Sequence, residues 1–241
     1  ERRYSTYKRF GCEGLDSGIS GLGRLARRAA EYGIKESVIG MAHRGRLNVL
    51  TCVLRKPYNQ IFAEFEDIKY IKSSESVFRF SGDVKYHIGC SNKINYGNDN
   101  KMVINLLPNP SHLEAVYPVT LGMVKARQSK LNDPRGEQVL PIIIHGDAAL
   151  SGQGVIYETQ QMERLPGFST GGTVHIVFNN QIGFTTDPIN GRSGHYPTNI
   201  AKINGNFVIH VNADEPEEVD FAMDLAIDYR MKFLGDVYIN L

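Results

Sequence analysis

Cysteine is scarce in this chain of 241 residues. The three present, Cys12, Cys52 and Cys90, are scattered, odd in number and free of any C-x-x-C pair. That excludes a disulfide framework and a zinc knot, and it points to a reducing compartment. Long apolar runs are missing too: none approaches the roughly 20 residues of a membrane span, so no membrane partner is expected. A one-signed charge is the third absence. The 27 basic and 26 acidic residues leave a formal net charge of +1, which argues against a nucleic-acid binder working through bulk charge. Arg24, Arg27 and Arg28 cluster, but their spacing is that of a solvated helix face. There is no internal repeat and no low-complexity tract. The start, "ERRYSTYKRF", reads as neither a signal nor a transit peptide. The end, "DVYINL", reads as a buried strand cut short, so the expectation is a portion of a longer polypeptide.

What is present is an ordinary globular composition, 41% hydrophobic and 22% charged, on a length that allows one large domain with a substantial core. Residues 20–32 have the period of an amphipathic helix ending at Gly33. "SVIGMA" (Ser37–Ala42) reads as a strand, and "LNVLTCVLRKP" as a helix stopped by Pro57. "MVINLLPNP" (Met102–Pro110) is a strand running into a Pro-Asn-Pro turn, followed by a helix over about 113–131. Then "VLPIIIHGD", "GTVHIVFNN", "NFVIHVN" and "DVYINL" read as strands. The stretch "GQGVIYETQQMERL" and the long segment from Glu215 read as helices, the latter with Pro216 in its first turn and Gly235 as its stop. Residues 62–100 are polar and irregular and read as loop. Continuous apolar strands alternating with amphipathic helices predict an α/β fold: one domain over residues 1–241, with an open, mostly parallel sheet covered by helices on both faces.

In such a sheet, ligands bind at the carboxyl ends of the strands. "VLPIIIHG" delivers Asp147 and "GTVHIVF" delivers Asn179 and Asn180, a separation suited to one strand–helix–strand unit. Asp147 and Asn180 should therefore share an edge of the sheet. A carboxylate, an amide oxygen and a main-chain carbonyl form a hard-oxygen set of the kind magnesium accepts while keeping positions for phosphate oxygens. Gly152 and Gly154 let the following helix begin close to an anion. Spacing alone leaves the plainer reading open, in which Asp147 caps a helix and the asparagines make a turn. Ser111-His112 stands without a G-x-S-x-G elbow, so a serine hydrolase is not indicated. "GISGLG" (Gly18–Gly23) lacks the dinucleotide order, and no Walker-type motif exists. His145, His175 and His210 read as structural, core or supporting residues.

"HGDAALSGQGVIYE" followed by "VFNNQIGFTTDP" resembles the cofactor motif of thiamine-diphosphate enzymes, a Gly-Asp with Asn-Asn some thirty residues on. The wording is most similar to the E1 component of the 2-oxoglutarate dehydrogenase complex. "KRFGCEG", "GMAHRGRLNVL", "SGDVKYHIG", "NPSHLEA" and "HVNADEPEEV" carry the same resemblance in family order across nearly the whole chain. Gly-Asp-Ala in place of the commoner Gly-Asp-Gly fits the oxoglutarate branch, whereas Ile68–Phe80 is longer and more apolar than the family pattern. The resemblance implies that Asp147, Asn180 and the main-chain oxygen of Ile182 hold Mg2+. It implies that Arg44, Leu113, Ala148 and Ala149, with those three, contact thiamine diphosphate. Leu113 would act as an apolar prop for the bent cofactor. His43, His87, Ser111 and His112 would face the 2-oxo acid substrate. Histidine suits a dianionic substrate because it offers a hydrogen bond or a proton near neutral pH. The planar fork of Arg44 suits phosphate or carboxylate.

The implied reaction is oxidative decarboxylation of 2-oxoglutarate in the tricarboxylic acid cycle, with the succinyl group passed to a lipoyl-bearing E2 partner. A homodimer is implied for the full-length protein, with location in the mitochondrial matrix of a eukaryote or the cytoplasm of a bacterium. The acidic residue that activates the cofactor belongs, in the family, to a separate pyrimidine-binding domain outside these residues. A 2-oxoadipate E1 is the neighbouring alternative. A non-catalytic α/β binding module, with Asp147 only a cap, is the alternative from another class.

Overall fold

A computed structural model describes residues 2–7, 10–66 and 87–241. Seven strands form a single sheet in the order β2-β3-β1-β4-β5-β7-β6. They are β1 (Glu36–Met41), β2 (Cys90–Asn95), β3 (Lys101–Leu106), β4 (Val139–Gly146), β5 (Val174–Phe178), β6 (Phe207–His210) and β7 (Val237–Asn240). All neighbours pair in parallel except β2, which runs antiparallel to β3 at one edge. Eight α-helical segments accompany them: α1 (Asp16–Glu31), α2 (Arg46–Asn48), α3 (Tyr58–Phe65), α4 (Val116–Lys130), α5 (Asp147–Gly152), α6 (Gly154–Gln160), α7 (Pro188–Gly191) and α8 (Pro216–Phe233).

The pleat sorts the strand residues onto two faces. Leu140, Ile142 and Ile144 of β4, Ile176 and Phe178 of β5, and Ile239 of β7 join α1 and α8 in the larger core. A Cβ at Gly18 would lie 2.9 Å from Phe178 and Leu241, and one at Gly21 would lie 2.7 Å from Val219 of α8. Small residues thus let α1 lie close on both the sheet and α8. The opposite face carries α4 against β1 and β4, with Val38, Val116, Val124 and Val139 buried between them. Beside them, α5 and the 3-10 helix Pro197–Asn204 bury Leu150, Val177, Ala201 and Tyr238. The expected α/β class, with helices on both faces, is what the chain forms.

Several local expectations differ. The segment 62–100 is not all loop, since it holds the end of α3 and the whole of β2. β2 escaped the sequence reading because it is a polar edge strand, "CSNKIN", in which only Ile94 is fully buried. The helix expected to run to Pro57 is short: α2 passes into a π-helical stretch, Val49–Val53, and Arg55 turns at φ 57°. Pro57 instead precedes α3 as its N-cap residue. The helix expected from Gly152 to Leu165 is shorter, α6 over Gly154–Gln160, and is parted from the preceding α5 by Gln153, which is extended at φ −91°, ψ 118°. α8 ends at Phe233 with Leu234 at φ 52°, so a leucine rather than Gly235 takes the left-handed position. His210 is exposed on the edge strand β6, against Tyr196, and is not a core residue. Ile68–Phe80 lies outside the described residues. Among the described residues, no helix is long and apolar enough to cross a membrane, and all three cysteines are free.

Candidate functional site at the carboxyl ends of β1, β4 and β5

From the central strand β1 the chain goes to β3 on one side and later to β4 on the other. That reversal opens a crevice at the carboxyl edge, where open α/β sheets bind ligands. Met41 of β1 pairs with Ile144 of β4, and Gly146 of β4 pairs with Phe178 of β5. The segments that follow, His43-Arg44, Asp147 and Asn179-Asn180, therefore emerge side by side, as the spacing of Asp147 and Asn180 predicted.

Arg44 is the centre of this group. Gly45 turns the chain at φ 70°, and a Cβ there would meet Cys12 at 3.2 Å and Phe178 at 3.3 Å. Only glycine takes that turn without strain or crowding. The turn delivers Arg44 over the ends of β4 and β5. Its Nη1 donates to Asp147 Oδ1 at 3.1 Å and to the Phe178 carbonyl at 2.7 Å, and its Nη2 donates to the Ile182 carbonyl at 2.7 Å. Asp147 is 2% exposed, and its other oxygen, Oδ2, accepts from Nη1 of Arg192 at 3.4 Å. Asp147 is the first residue of α5 and Gly146 is its N-cap, so Asp147 is not the cap residue. The Asn180 amide donates to the Glu13 carbonyl at 3.3 Å, and its oxygen accepts from the Ile182 N–H at 3.4 Å. The β5 turn is held in shape by its own asparagine.

Among the described residues, no group of three or more His, Cys, Asp or Glu could hold a metal ion. A cation here would instead rely on one carboxylate plus amide and main-chain oxygens, a hard-oxygen set. The guanidinium of Arg44 already tests that fit, because a cation sits on the Asp147 and Ile182 oxygens in this structure.

A second group lies next to it. The rings of His43 and His87 stack at 5.0 Å between centroids, Phe10 lies 5.1 Å from His43, and His87 Nε2 is 3.1 Å from Ser111 Oγ. Burial holds the His43 imidazole below its ordinary pKa. A hydrogen bond with the Asn109 backbone opposes that, and the charges of His87 and Arg46 add to it. His43 is then neutral at pH 7 and available as a hydrogen-bond partner. Ser111, His112 and Leu113 are exposed on the turn after the Pro-Asn-Pro segment. His112 and Leu113 join neither group by a hydrogen bond or ring contact among the described residues. Ala148 is exposed and Ala149 half-buried in the first turn of α5, and a Cβ at Gly183 would lie 3.2 Å from that of Ala148.

Three features were not visible in the sequence. Arg46 is fully buried, with no carboxylate partner among the described residues. It donates to the carbonyls of Met41, Ile88 and Leu107, tying the ends of β1 and β3 to the residue after His87. Burial lowers its pKa to about 10. Beneath the site, a buried chain runs from Glu114 through His145 and His175 to Asp236, at 2.7, 2.9 and 3.2 Å. Burial pushes Asp236 up to about 6; burial and then the Asp236 charge push the neighbouring Glu163 up to about 7. His145, read from the sequence as structural, is the link between this chain and the Gly146-Asp147 turn. Arg192 has no spacing rule to announce it and stands in an irregular loop.

The chain matches the family described as "Dehydrogenase E1 component" over residues 1–241. It is 47% identical over 241 residues to "2-oxoglutarate dehydrogenase-like, mitochondrial" of Xenopus laevis, covering all of this chain and 23% of that protein. The relative of the same name from Pongo abelii is 46% identical, with the same coverage. "Multifunctional 2-oxoglutarate metabolism enzyme" of Mycolicibacterium vanbaalenii is 47% identical over 245 residues, 100% of this chain and 19% of that protein. The chain thus spans less than a quarter of the length of these relatives. With a match from end to end and the glycine-turned arginine set against Asp147 at the switch point of the sheet, the chain belongs to the dehydrogenase E1 component family.

Proposed function

We propose that this chain is the diphosphate-binding part of a thiamine-diphosphate-dependent E1 that decarboxylates 2-oxoglutarate and passes the succinyl group to a lipoyl-bearing E2. The observation that carries the reading is the convergence of the Asp147 carboxylate and the Ile182 carbonyl on one cation. Printed names of relatives from animals and a bacterium support the substrate. In this reading Asp147, Asn180 and Ile182 hold Mg2+, and Arg44, Leu113, Ala148 and Ala149 with those three contact the cofactor. When bound, the cofactor supplies the nucleophilic carbon and the electron sink for loss of carbon dioxide.

The chain's own residues bind and orient. Arg44 and Arg192 attract the diphosphate, since planar donor forks suit phosphate oxygens. His43, His87, Ser111 and His112 face the 2-oxo acid. A neutral His43 gives or accepts a hydrogen bond at the substrate without adding charge. Arg46 adds a buried positive charge beside the two stacked histidines. It favours an anionic substrate, because a charge in a low-dielectric surrounding is weakly screened. The full-length protein acts as a homodimer in the mitochondrial matrix, a reading supported by the word mitochondrial in the names of the animal relatives, or in the cytoplasm if its source is bacterial.

The test is steady-state turnover of the full-length protein with 2-oxoglutarate and 2-oxoadipate, thiamine diphosphate, Mg2+ and an artificial electron acceptor. Preference for 2-oxoglutarate, with turnover lost in Asp147→Ala, is expected. Preference for 2-oxoadipate would move the assignment to the neighbouring E1. Turnover unaffected by Asp147→Ala would refute the site.

A further inference from the structure

Arg44 is placed as though it were itself the ligand of this site. Its guanidinium spans Asp147 Oδ1, the Phe178 carbonyl and the Ile182 carbonyl, with Arg192 on the other carboxylate oxygen. Asp147 is 2% exposed, and the Arg44 side chain only 20%. A buried carboxylate left alone is costly, so some cation must accompany it. One carboxylate faces two guanidiniums, which leaves the site positive by one charge. An incoming divalent ion alone would meet that positive charge and find two of its oxygens occupied.

We propose that Arg44 is the site's internal counter-cation: it holds the Asp147 and Ile182 oxygens until a metal ion and the diphosphate arrive together, and then releases them. The inference rests on the reading of Asp147 and Ile182 as metal ligands and adds an order to it. Metal alone binds weakly because it must displace a tethered cation. The polyanionic diphosphate draws Arg44 and Arg192 off the carboxylate and neutralises them, so each ligand strengthens the other. Arg44 is then a positioning residue with two sets of partners. Its carbonyl and carboxylate partners without ligand give way to phosphate oxygens with it.

The experiment uses full-length protein freed of cofactor, with Mn2+ as the probe and water-proton relaxation as the readout. Wild-type protein should bind Mn2+ alone weakly. Arg44→Met, which keeps the stem but removes the charge, should bind it at least about tenfold more tightly, as loss of a like charge a few ångströms away requires. The gain should vanish in Arg44→Met/Asp147→Asn. Arg44→Lys, whose ammonium cannot span three oxygens, should fall between wild type and Arg44→Met and serves if the methionine variant does not fold. Tight Mn2+ binding to wild-type protein without diphosphate, lost in Asp147→Asn, would overturn the proposal, and so would Arg44→Met or Arg44→Lys binding no more tightly than wild type. Failure of the underlying site reading looks different: Mn2+ binding in the presence of thiamine diphosphate would then be unchanged in Asp147→Asn.

Discussion

Arg46 shows how much one side chain does here. Burying a guanidinium is expensive, yet this one, fully buried, donates to three carbonyls at the ends of two strands and behind His87. Replacing it by methionine keeps the volume and orphans those carbonyls, at about 1–3 kcal/mol for each one left without water. Water will reach the Ile88 carbonyl, whose residue is 37% exposed. Arg46→Met should therefore cost about 2–6 kcal/mol in chemical denaturation of the full-length protein. A loss under about 0.5 kcal/mol, the range of ordinary surface substitutions, would show that the carbonyls find other partners.

At the scale of elements, the turn after β1 and the buried chain beneath β4 set the geometry of the site. Gly45→Ala forces a Cβ into the left-handed region and toward Cys12 and Phe178, a strain of about 1–2 kcal/mol. Affinity for thiamine diphosphate with Mg2+ should fall by at least the same free energy, because the turn aims Arg44. Unchanged affinity would separate the turn from the site. Glu163, beside the Asp236 end of the chain, makes a pH prediction. Glu163 has its folded pKa raised from 4.5 to about 7, so the unfolded protein loses its proton first. Its contribution to stability is present at low pH and is lost as pH rises from about 4.5 to 7. Glu163→Gln should gain stability over wild type between pH 5 and pH 8, read as the difference between their melting temperatures. Using the difference removes the opposite trend of His175, whose pKa burial holds well below 6.5. A constant difference across that range would contradict the raised pKa of Glu163.

These elements also show what was legible in the sequence. Apolar runs such as "VLPIIIHG" and "GTVHIVF" announced buried parallel strands because both faces are covered, and their spacing announced that Asp147 and Asn180 share an edge. β2 was not legible, since a polar edge strand has only its partner to reveal it. The end of α6 at Gln160, short of the expected Leu165, was hidden inside a continuous helical pattern. Arg44 was expected at the cofactor, but its hold on Asp147 and Ile182 is a three-dimensional fact. The chain through His145 and His175 joins residues from four segments, and no local pattern contains it.

For the whole molecule, the site is one wall of a larger machine. The proposed reaction needs an acidic residue to activate the cofactor, and the family resemblance places that residue in a separate pyrimidine-binding domain. The 241 residues described by this sequence, produced alone, should therefore show no decarboxylation of 2-oxoglutarate, and turnover by them would refute that division of labour. The central claim is that Asp147 holds the cofactor through a divalent ion. Its most direct test is calorimetric titration of full-length protein with thiamine diphosphate, with and without Mg2+, in wild type and Asp147→Ala. The account predicts binding that depends on Mg2+ and is lost in Asp147→Ala; binding that ignores Mg2+, or persists unchanged in the variant, would contradict it.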